Sequence, residues 1–173
     1  MENQVSSKSI IINYGLGLGV ISLFPALIKY AMGGNYLEND TISGLLGFAF
    51  TIVFIVLAYR NFKTANAGYM SWGKGLKIGM GIVLISLFVT ILYLLVFTNY
   101  IEPDFKNLAI AAAEEKWVDA GMTSDQIDLF KTNTNKYFNL SLYGGIVIVS
   151  LFIGFVISAI TSAIMKESAE EQY

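Results

Sequence analysis

Four long apolar segments constrain this chain more than any other feature, because each is long enough to cross a membrane as a helix. A bilayer core about 30 Å thick requires roughly 20 apolar residues in helical conformation. The segments lie at about residues 10–32, 42–59, 78–97 and 140–165. Their residues do not alternate between apolar and polar, as membrane β-barrel strands do. The sequence therefore predicts an all-α fold, an integral membrane four-helix bundle that forms a single membrane domain over residues 1–173.

The first segment has a rival interpretation as a cleaved signal peptide. Its apolar run extends from Ile10 to Ile28, which is longer than the roughly 7–15 residues of a signal-peptide core. Three more apolar segments follow it along the chain. We therefore expect the first segment to be retained as a membrane span.

The composition argues against several kinds of chemistry. Of the 173 residues 55% are hydrophobic and 14% are charged, whereas about a quarter of the residues in a soluble domain are charged. The chain has no cysteine and no histidine, so it lacks a thiol nucleophile and the commonest general base and metal ligand. Its net charge of −2 is too small to indicate nucleic-acid binding. We expect no catalytic residues, no metal, no cofactor and no nucleic-acid partner.

The distribution of basic residues predicts the orientation in the membrane. The link between the second and third spans carries four basic residues and no acidic one, and we expect these four to contact lipid headgroups: Arg60, Lys63, Lys74 and Lys77. With Lys8 and Lys166 they place six basic residues on the side of the termini, against five on the other side. Since basic residues near span ends favour the cytoplasm, we expect both termini in the cytoplasm of a bacterial inner membrane.

The stretch Gly68–Gly75, GYMSWGKG, resembles a phosphate-binding P-loop except for its last residue. That motif requires Ser or Thr after Gly-Lys, and this chain has Gly75 there. A P-loop also follows a strand, whereas this stretch follows a predicted membrane helix. We interpret it as a turn at the membrane surface and expect no nucleotide partner.

The same region carries a family resemblance. Residues 58–63 (AYRNFK) and 67–79 (AGYMSWGKGLKIG), together with the glycine-rich residues 14–19 (YGLGLG), resemble the family called domain of unknown function 4199. Ala67 stands where members often have Gly, and Trp72 where Phe is expected. The resemblance implies a small bacterial membrane protein with four spans, and it implies no biochemical activity.

The only sizeable polar region is residues 100–139, between the third and fourth spans. Pro103 predicts the end of the preceding helix. Residues 107–120 are rich in strong helix formers, and Gly121 predicts a stop. Thr123 followed by Gln126 predicts a capping box that starts a second helix, which runs into the fourth span. We expect an extramembrane helical loop whose apolar side chains pack on each other or on the membrane.

The acidic residues of this loop have two interpretations. Glu115 and Asp119 are four residues apart and share a helix face, as a cation site or an acid–base pair would require. Catalysis normally needs a carboxylate in a pocket with a positioned partner, and the sequence marks no such pocket. We favour a solvated helix face.

Small residues recur at four-residue spacing inside the spans, which lets helix backbones approach closely. The helix-packing candidates are Gly15 with Gly19, Gly75 with Gly79, and Gly154 with Ser158. Such rows serve either dimerisation or packing within one chain. We favour packing within the chain, because four spans already require internal contacts.

Polar atoms deep in the spans are few, and the middle of every span is uncharged. They belong to Asn13, Ser22, Thr51, Ser86, Thr90 and Ser150. Ion-coupled transporters usually carry ionisable side chains at this depth. We therefore expect a non-catalytic membrane protein that acts in the lipid bilayer through helix–helix contacts, with a membrane-protein partner or as a homo-oligomer. The alternative is a subunit of a small oligomeric transporter or channel.

Overall fold

The computed structural model of the protein describes residues 7–33, 37 and 41–167. Its helices are α1 (Ser7–Ala31), α2 (Thr41–Ala65), α3 (Trp72–Val96), α4 (Phe105–Asp119) and α5 (Ser124–Met165), with a π-helical turn at Phe97–Ile101. These described ranges contain no β-strand, and their only β-type pairing is an isolated antiparallel bridge between Met70 and Glu167. The prediction of an all-α membrane bundle is confirmed.

Four of the helices are long and apolar enough to cross a membrane: α1, α2, α3 with the π-helical turn, and α5. Most of each apolar stretch is not buried by protein; in α2 only 11% of it is. Side chains exposed in this way suit contact with lipid rather than water. The chain is thus a multi-pass membrane protein, as the sequence predicts.

The described residues divide into two compact units. The first contains the residues up to Thr90 together with those from Ile148 onward, and the second is Ile91–Val147. The core of the first unit is built from buried side chains of all four long helices: Ile10 and Leu18 of α1, Ile55 and Tyr59 of α2, Ile78 and Ile82 of α3, and Ile157 of α5. Within this unit the four long helices form the bundle.

In the second unit, α4 packs against the polar part of α5 through aromatic side chains. The Phe105 ring lies 5.9 Å from that of Phe97 and 6.2 Å from that of Phe138, and Trp117 contacts Phe130 at 5.6 Å. These edge-on and tilted arrangements are the favourable ones for aromatic rings. An ion pair of 2.7 Å between Lys131 and Glu114 joins the same two helices.

The termini of these helices follow the signals in the sequence. The π-helical turn ends directly before Glu102 and Pro103, since proline has no N–H with which to continue it. Gly121 has a φ of +75°, which glycine adopts readily just after a helix end. At the start of α5, the Thr123 N–H donates to Gln126 Oε1 (2.9 Å), and the Gln126 N–H donates to Thr123 Oγ1 (3.4 Å). The predicted capping box is confirmed.

Candidate functional site

The turn between α2 and α3 is paired with the end of α5. The Met70 N–H donates to the Glu167 carbonyl at 3.0 Å, and the Glu167 N–H donates back to the Met70 carbonyl at 2.9 Å. The turn itself needs left-handed backbone at Ala67 (φ +52°) and Gly68 (φ +91°), and Gly68 adopts this without strain. Two backbone hydrogen bonds therefore hold the GYMSWGKG turn against the last helix.

Two of the four basic residues in this region make contacts within the first unit. The Lys63 ammonium lies 2.5 Å from the Glu167 carboxylate and donates to the Met165 carbonyl at 3.4 Å. Met165 is the last residue of α5, so this positive charge also stabilises the C-terminal end of the helix. The Lys74 ammonium lies 3.3 Å from Ser7 Oγ and 5.3 Å from the centre of the Phe62 ring. Arg60 and Lys77 are exposed. Contact of these four side chains with headgroups stays a prediction.

The arrangement around Lys74 differs from that of a P-loop. A P-loop lysine follows a strand and a glycine-rich loop and reaches toward phosphates. Here the helix α2 precedes the turn, and Lys74 already belongs to α3, which begins at Trp72. Its ammonium is directed to α1 and α2 through Ser7 and Phe62.

The small residues of α3 and α5 allow close contact between these helices and Tyr59. A Cβ at Gly79 would lie 2.6 Å from Tyr59 Oη and 2.7 Å from Ser158 Cβ, and a Cβ at Gly75 would lie 2.9 Å from Ser162 Cβ. Three further hydrogen bonds cross this interface: Ser162 Oγ donates to the Trp72 carbonyl (2.6 Å), Trp72 Nε1 to the Ala159 carbonyl (3.1 Å) and Tyr59 Oη to the Ser158 carbonyl (3.3 Å).

The other small residues also face neighbouring helices of the first unit. A Cβ at Gly15 would lie 2.6 Å from Ile85 Cβ, one at Gly19 2.7 Å from Val89 Cβ, and one at Gly154 2.6 Å from the Val83 methyl groups. All six helix-packing candidates thus lie at contacts inside the chain. Sequence reasoning did not single out Gly17 and Gly81, which approach Phe54 and Ile11 equally closely.

A cavity of about 250 Å³ lies among the four long helices of the first unit. Its lining comprises Leu18 and Ser22 of α1, Gly44, Gly47, Phe48 and Thr51 of α2, Val83, Ser86, Leu87 and Thr90 of α3, and Val149, Ser150, Ile153 and Gly154 of α5. None of these described lining residues has an ionisable side chain. Five lining residues carry hydroxyl groups, and most of the others are apolar. This is the combination expected of a small-molecule site within a helical bundle.

Five of the six polar residues that the sequence places deep in the spans therefore meet at one cavity. The exception is Asn13, which is exposed and donates to Ser9 Oγ at 3.4 Å. A periodic signal was present in the sequence, because Gly44, Gly47 and Thr51 share one face of α2, as Ser86 and Thr90 share one face of α3. That signal marks a small and polar face on each helix, but it cannot show that the faces converge.

The acidic candidates of the second unit do not form a comparable site. Glu115 and Asp119 are both exposed on α4, and Glu114 is paired with Lys131. Across the described ranges, no group of three or more acidic, histidine or cysteine residues is placed so that it can hold a metal ion.

The fold and the cavity define a class: a multi-pass, all-α membrane protein with a hydroxyl-lined cavity among its four long helices. Residues 13–167 match the model of the family described as Protein of unknown function (DUF4199), and the chain belongs to that family. The resemblance seen in residues 14–19 and 58–79 is thereby confirmed. Comparison with curated proteins and with solved structures gave no match.

Proposed function

We propose that this protein is a non-catalytic protein of the bacterial inner membrane that acts by assembling with another membrane protein or with a second copy of itself. The observation that carries the proposal is that the charged side chains lie outside the cavity. Among the described residues, the cavity lining has hydroxyls but no ionisable side chain, whereas Lys63 of α2 and Lys74 of α3 make contacts within the first unit. General acid–base catalysis requires an ionisable group inside the pocket.

Exposed apolar side chains in the second unit support the assembly part of the proposal. Large apolar residues of α4 and α5 are exposed outside the predicted spans, among them Val118, Leu129 and Phe130, and Leu129 is 61% exposed. Exposed apolar residues outside a membrane often mark contact with another protein. The glycine rows face the chain's own helices, so we assign partner contact to this second unit.

A photo-crosslinking amino acid at Leu129 tests the assembly in living cells. We expect a crosslinked product of defined mass, whose partner mass spectrometry identifies, because an exposed apolar residue in an interface lies against the partner. The control carries the crosslinker at Asp128, which is turned about 100° around α5 and is also exposed. Crosslinks to lipid alone at both positions would contradict the proposal.

Transport is the second candidate, and the cavity is the observation that favours it, since polar side chains of all four spans meet there. We nevertheless expect reconstituted protein to conduct no ions, because a cation crossing hydrocarbon needs charged or carbonyl ligands in place of water. The measurement is ion and solute flux into proteoliposomes. Flux that scales with the amount of protein and is lost in Ser86→Leu would place transport ahead of assembly.

The orientation is part of the proposal, with the 60–77 region and both termini in the cytoplasm. The chain has no native cysteine, so any labelling by a thiol reagent comes from the single cysteine that is introduced. We expect Thr123→Cys to react with a membrane-impermeant thiol reagent in whole cells and Thr64→Cys to react only after lysis, because basic residues near span ends stay in the cytoplasm. Both positions are exposed. The reverse pattern would invert the topology.

A further inference from the structure

The glycines of the first unit fall into two kinds, and only one kind serves packing. A Cβ at Gly15, Gly19 or Gly79 would collide with a neighbouring helix, whereas a Cβ at Gly44 or Gly47 would meet no atom within 4 Å. Gly44 and Gly47 both line the cavity. They leave space that the described part of the bundle does not fill.

The hydroxyls around this space are biased toward accepting hydrogen bonds. Thr51 Oγ1 donates its proton to the Gly47 carbonyl (2.8 Å), and Thr90 Oγ1 donates to the Ser86 carbonyl (3.1 Å). Each of these two oxygens therefore has only lone pairs left for an occupant. The hydroxyls of Ser22, Ser86 and Ser150 make no side-chain hydrogen bond with any described residue. An occupant with a proton to donate suits this lining best.

The size and polarity of the cavity argue against the two simplest occupants. Liquid water takes about 30 Å³ per molecule and a buried water needs two to four polar partners. Roughly eight waters would be needed to fill about 250 Å³, and five hydroxyls, two of which already donate to the backbone, give so many waters few protein partners. A plain hydrocarbon chain would fill the space but would leave the serine hydroxyls without partners.

We propose that this cavity binds a small, neutral amphiphile with a hydroxyl group, that is, an aliphatic alcohol or the hydroxyl-bearing part of a neutral lipid. Its hydroxyl donates to Thr51 or Thr90 and exchanges hydrogen bonds with the serines, while its alkyl part contacts Leu18, Val83 and other apolar residues of the lining. Because no described residue of the lining is ionisable, the lining disfavours a charged headgroup, since an ion without a partner pays the full cost of desolvation. The proposal goes beyond the proposed function and does not depend on a protein partner.

The test is photolabelling of the full-length protein in phosphatidylcholine nanodiscs with a diazirine derivative of octanol. We expect saturable labelling of peptides that contain cavity residues such as Phe48 and Leu87. Octanol should compete about tenfold better than methyl octyl ether, which has the same alkyl chain but no proton to donate. Octane should compete no better than the ether. Equal competition by all three compounds, or labelling spread over all lipid-facing surfaces, would overturn the proposal.

Two variants connect the labelling to this cavity. Gly47→Leu fills the space and should reduce saturable labelling by about tenfold or more, and Thr90→Val keeps the side-chain shape but removes an acceptor and should weaken it several-fold. Gly73→Leu is the matched control, because a Cβ at Gly73 also meets no atom within 4 Å and Gly73 does not line the cavity. Thermal unfolding of each variant separates loss of binding from loss of fold. Full labelling of folded Gly47→Leu would contradict the assignment.

A further competition distinguishes the source of the ligand. If a monoacylglycerol competes as well as octanol, the natural occupant is a neutral membrane lipid; if only octanol competes, it is a free alcohol. Either outcome supports a donor hydroxyl in the cavity. Crosslinking at Leu129 reports on partner assembly separately, so failure of one proposal is not mistaken for failure of the other.

Discussion

Gly79→Leu is expected to destabilise the bundle by about 3 kcal/mol or more, the upper part of the range for overpacked sites. The Cβ alone would lie 2.7 Å from Ser158 Cβ and 2.6 Å from Tyr59 Oη. Both neighbours are fully buried, so neither can turn away into lipid. The side chain must therefore push α3 away from α5 or from α2. Reversible unfolding of the reconstituted protein by a denaturing detergent measures the change in the free energy of unfolding.

The matched control is Gly73→Leu in the same helix. A Cβ at Gly73 meets no atom within 4 Å, and leucine has a higher helix propensity than glycine by somewhat less than 1 kcal/mol. We expect this variant to be as stable as the parent or slightly more stable. A similar loss of stability in both variants would mean that leucine is harmful for reasons other than the α3–α5 contact.

The sequence predicts the helices well because their signals are local. The length of each apolar segment predicts the four long helices, and the capping box formed by Thr123 and Gln126 predicts the start of α5. Each signal lies within a few residues of the feature that it predicts. Helix formation depends on neighbours along the chain, so one sequence is sufficient for this level of structure.

The contacts between helices are not predictable in the same way. The pairs that join the end of α2 and the following turn to the residues after α5 are about 100 residues apart, such as Lys63 with Glu167 and Met70 with the same residue. Charge counting assigns Lys63 only to the membrane surface, because nothing near Lys63 in the sequence identifies its carboxylate partner. Long-range pairing depends on how whole helices pack, and spacing along one helix does not specify its neighbour.

The cavity was missed for a related reason. Gly44 and Gly47, three residues apart, share one helix face, as Gly75 and Gly79 do at a spacing of four, yet one pair faces open space and the other faces Ser162 and Ser158. The spacing predicts only that a helix face is small. Whether a neighbouring helix fills that face or leaves it open is decided by the neighbour's side chains.

The first unit combines close helix contacts with open space. Near the motif turn, Trp72, Tyr59 and Ser162 join α2, α3 and α5 by hydrogen bonds and close contact. Toward the start of α2, glycines and hydroxyls surround the cavity instead. Tight packing at one part of the bundle holds the helices in place, so a space can remain between them elsewhere without collapse.

The large side chain at the centre of the tight region is Tyr59, which has 0% of its surface exposed. Tyr59→Ala is expected to cost about 3–5 kcal/mol, as for other large aromatic residues replaced by alanine in a core. In a membrane this cost does not come from transfer out of water, because lipid is as apolar as the protein interior. It comes from the contacts that the remaining side chains lose around the new cavity. Unfolding in a denaturing detergent measures it.

Tyr59→Phe separates the ring from its hydroxyl. The hydrogen bond from Tyr59 Oη to the Ser158 carbonyl is long, at 3.3 Å, and measured side-chain hydrogen bonds between membrane helices average about 0.6 kcal/mol. We therefore expect Tyr59→Phe to lose less than about 1 kcal/mol. Leu57→Ala, two residues away on α2 and 44% exposed, controls for truncation of a lipid-facing residue and should change stability little. If Tyr59→Phe were as unstable as Tyr59→Ala, the hydroxyl rather than ring packing would hold α2 against α3 and α5.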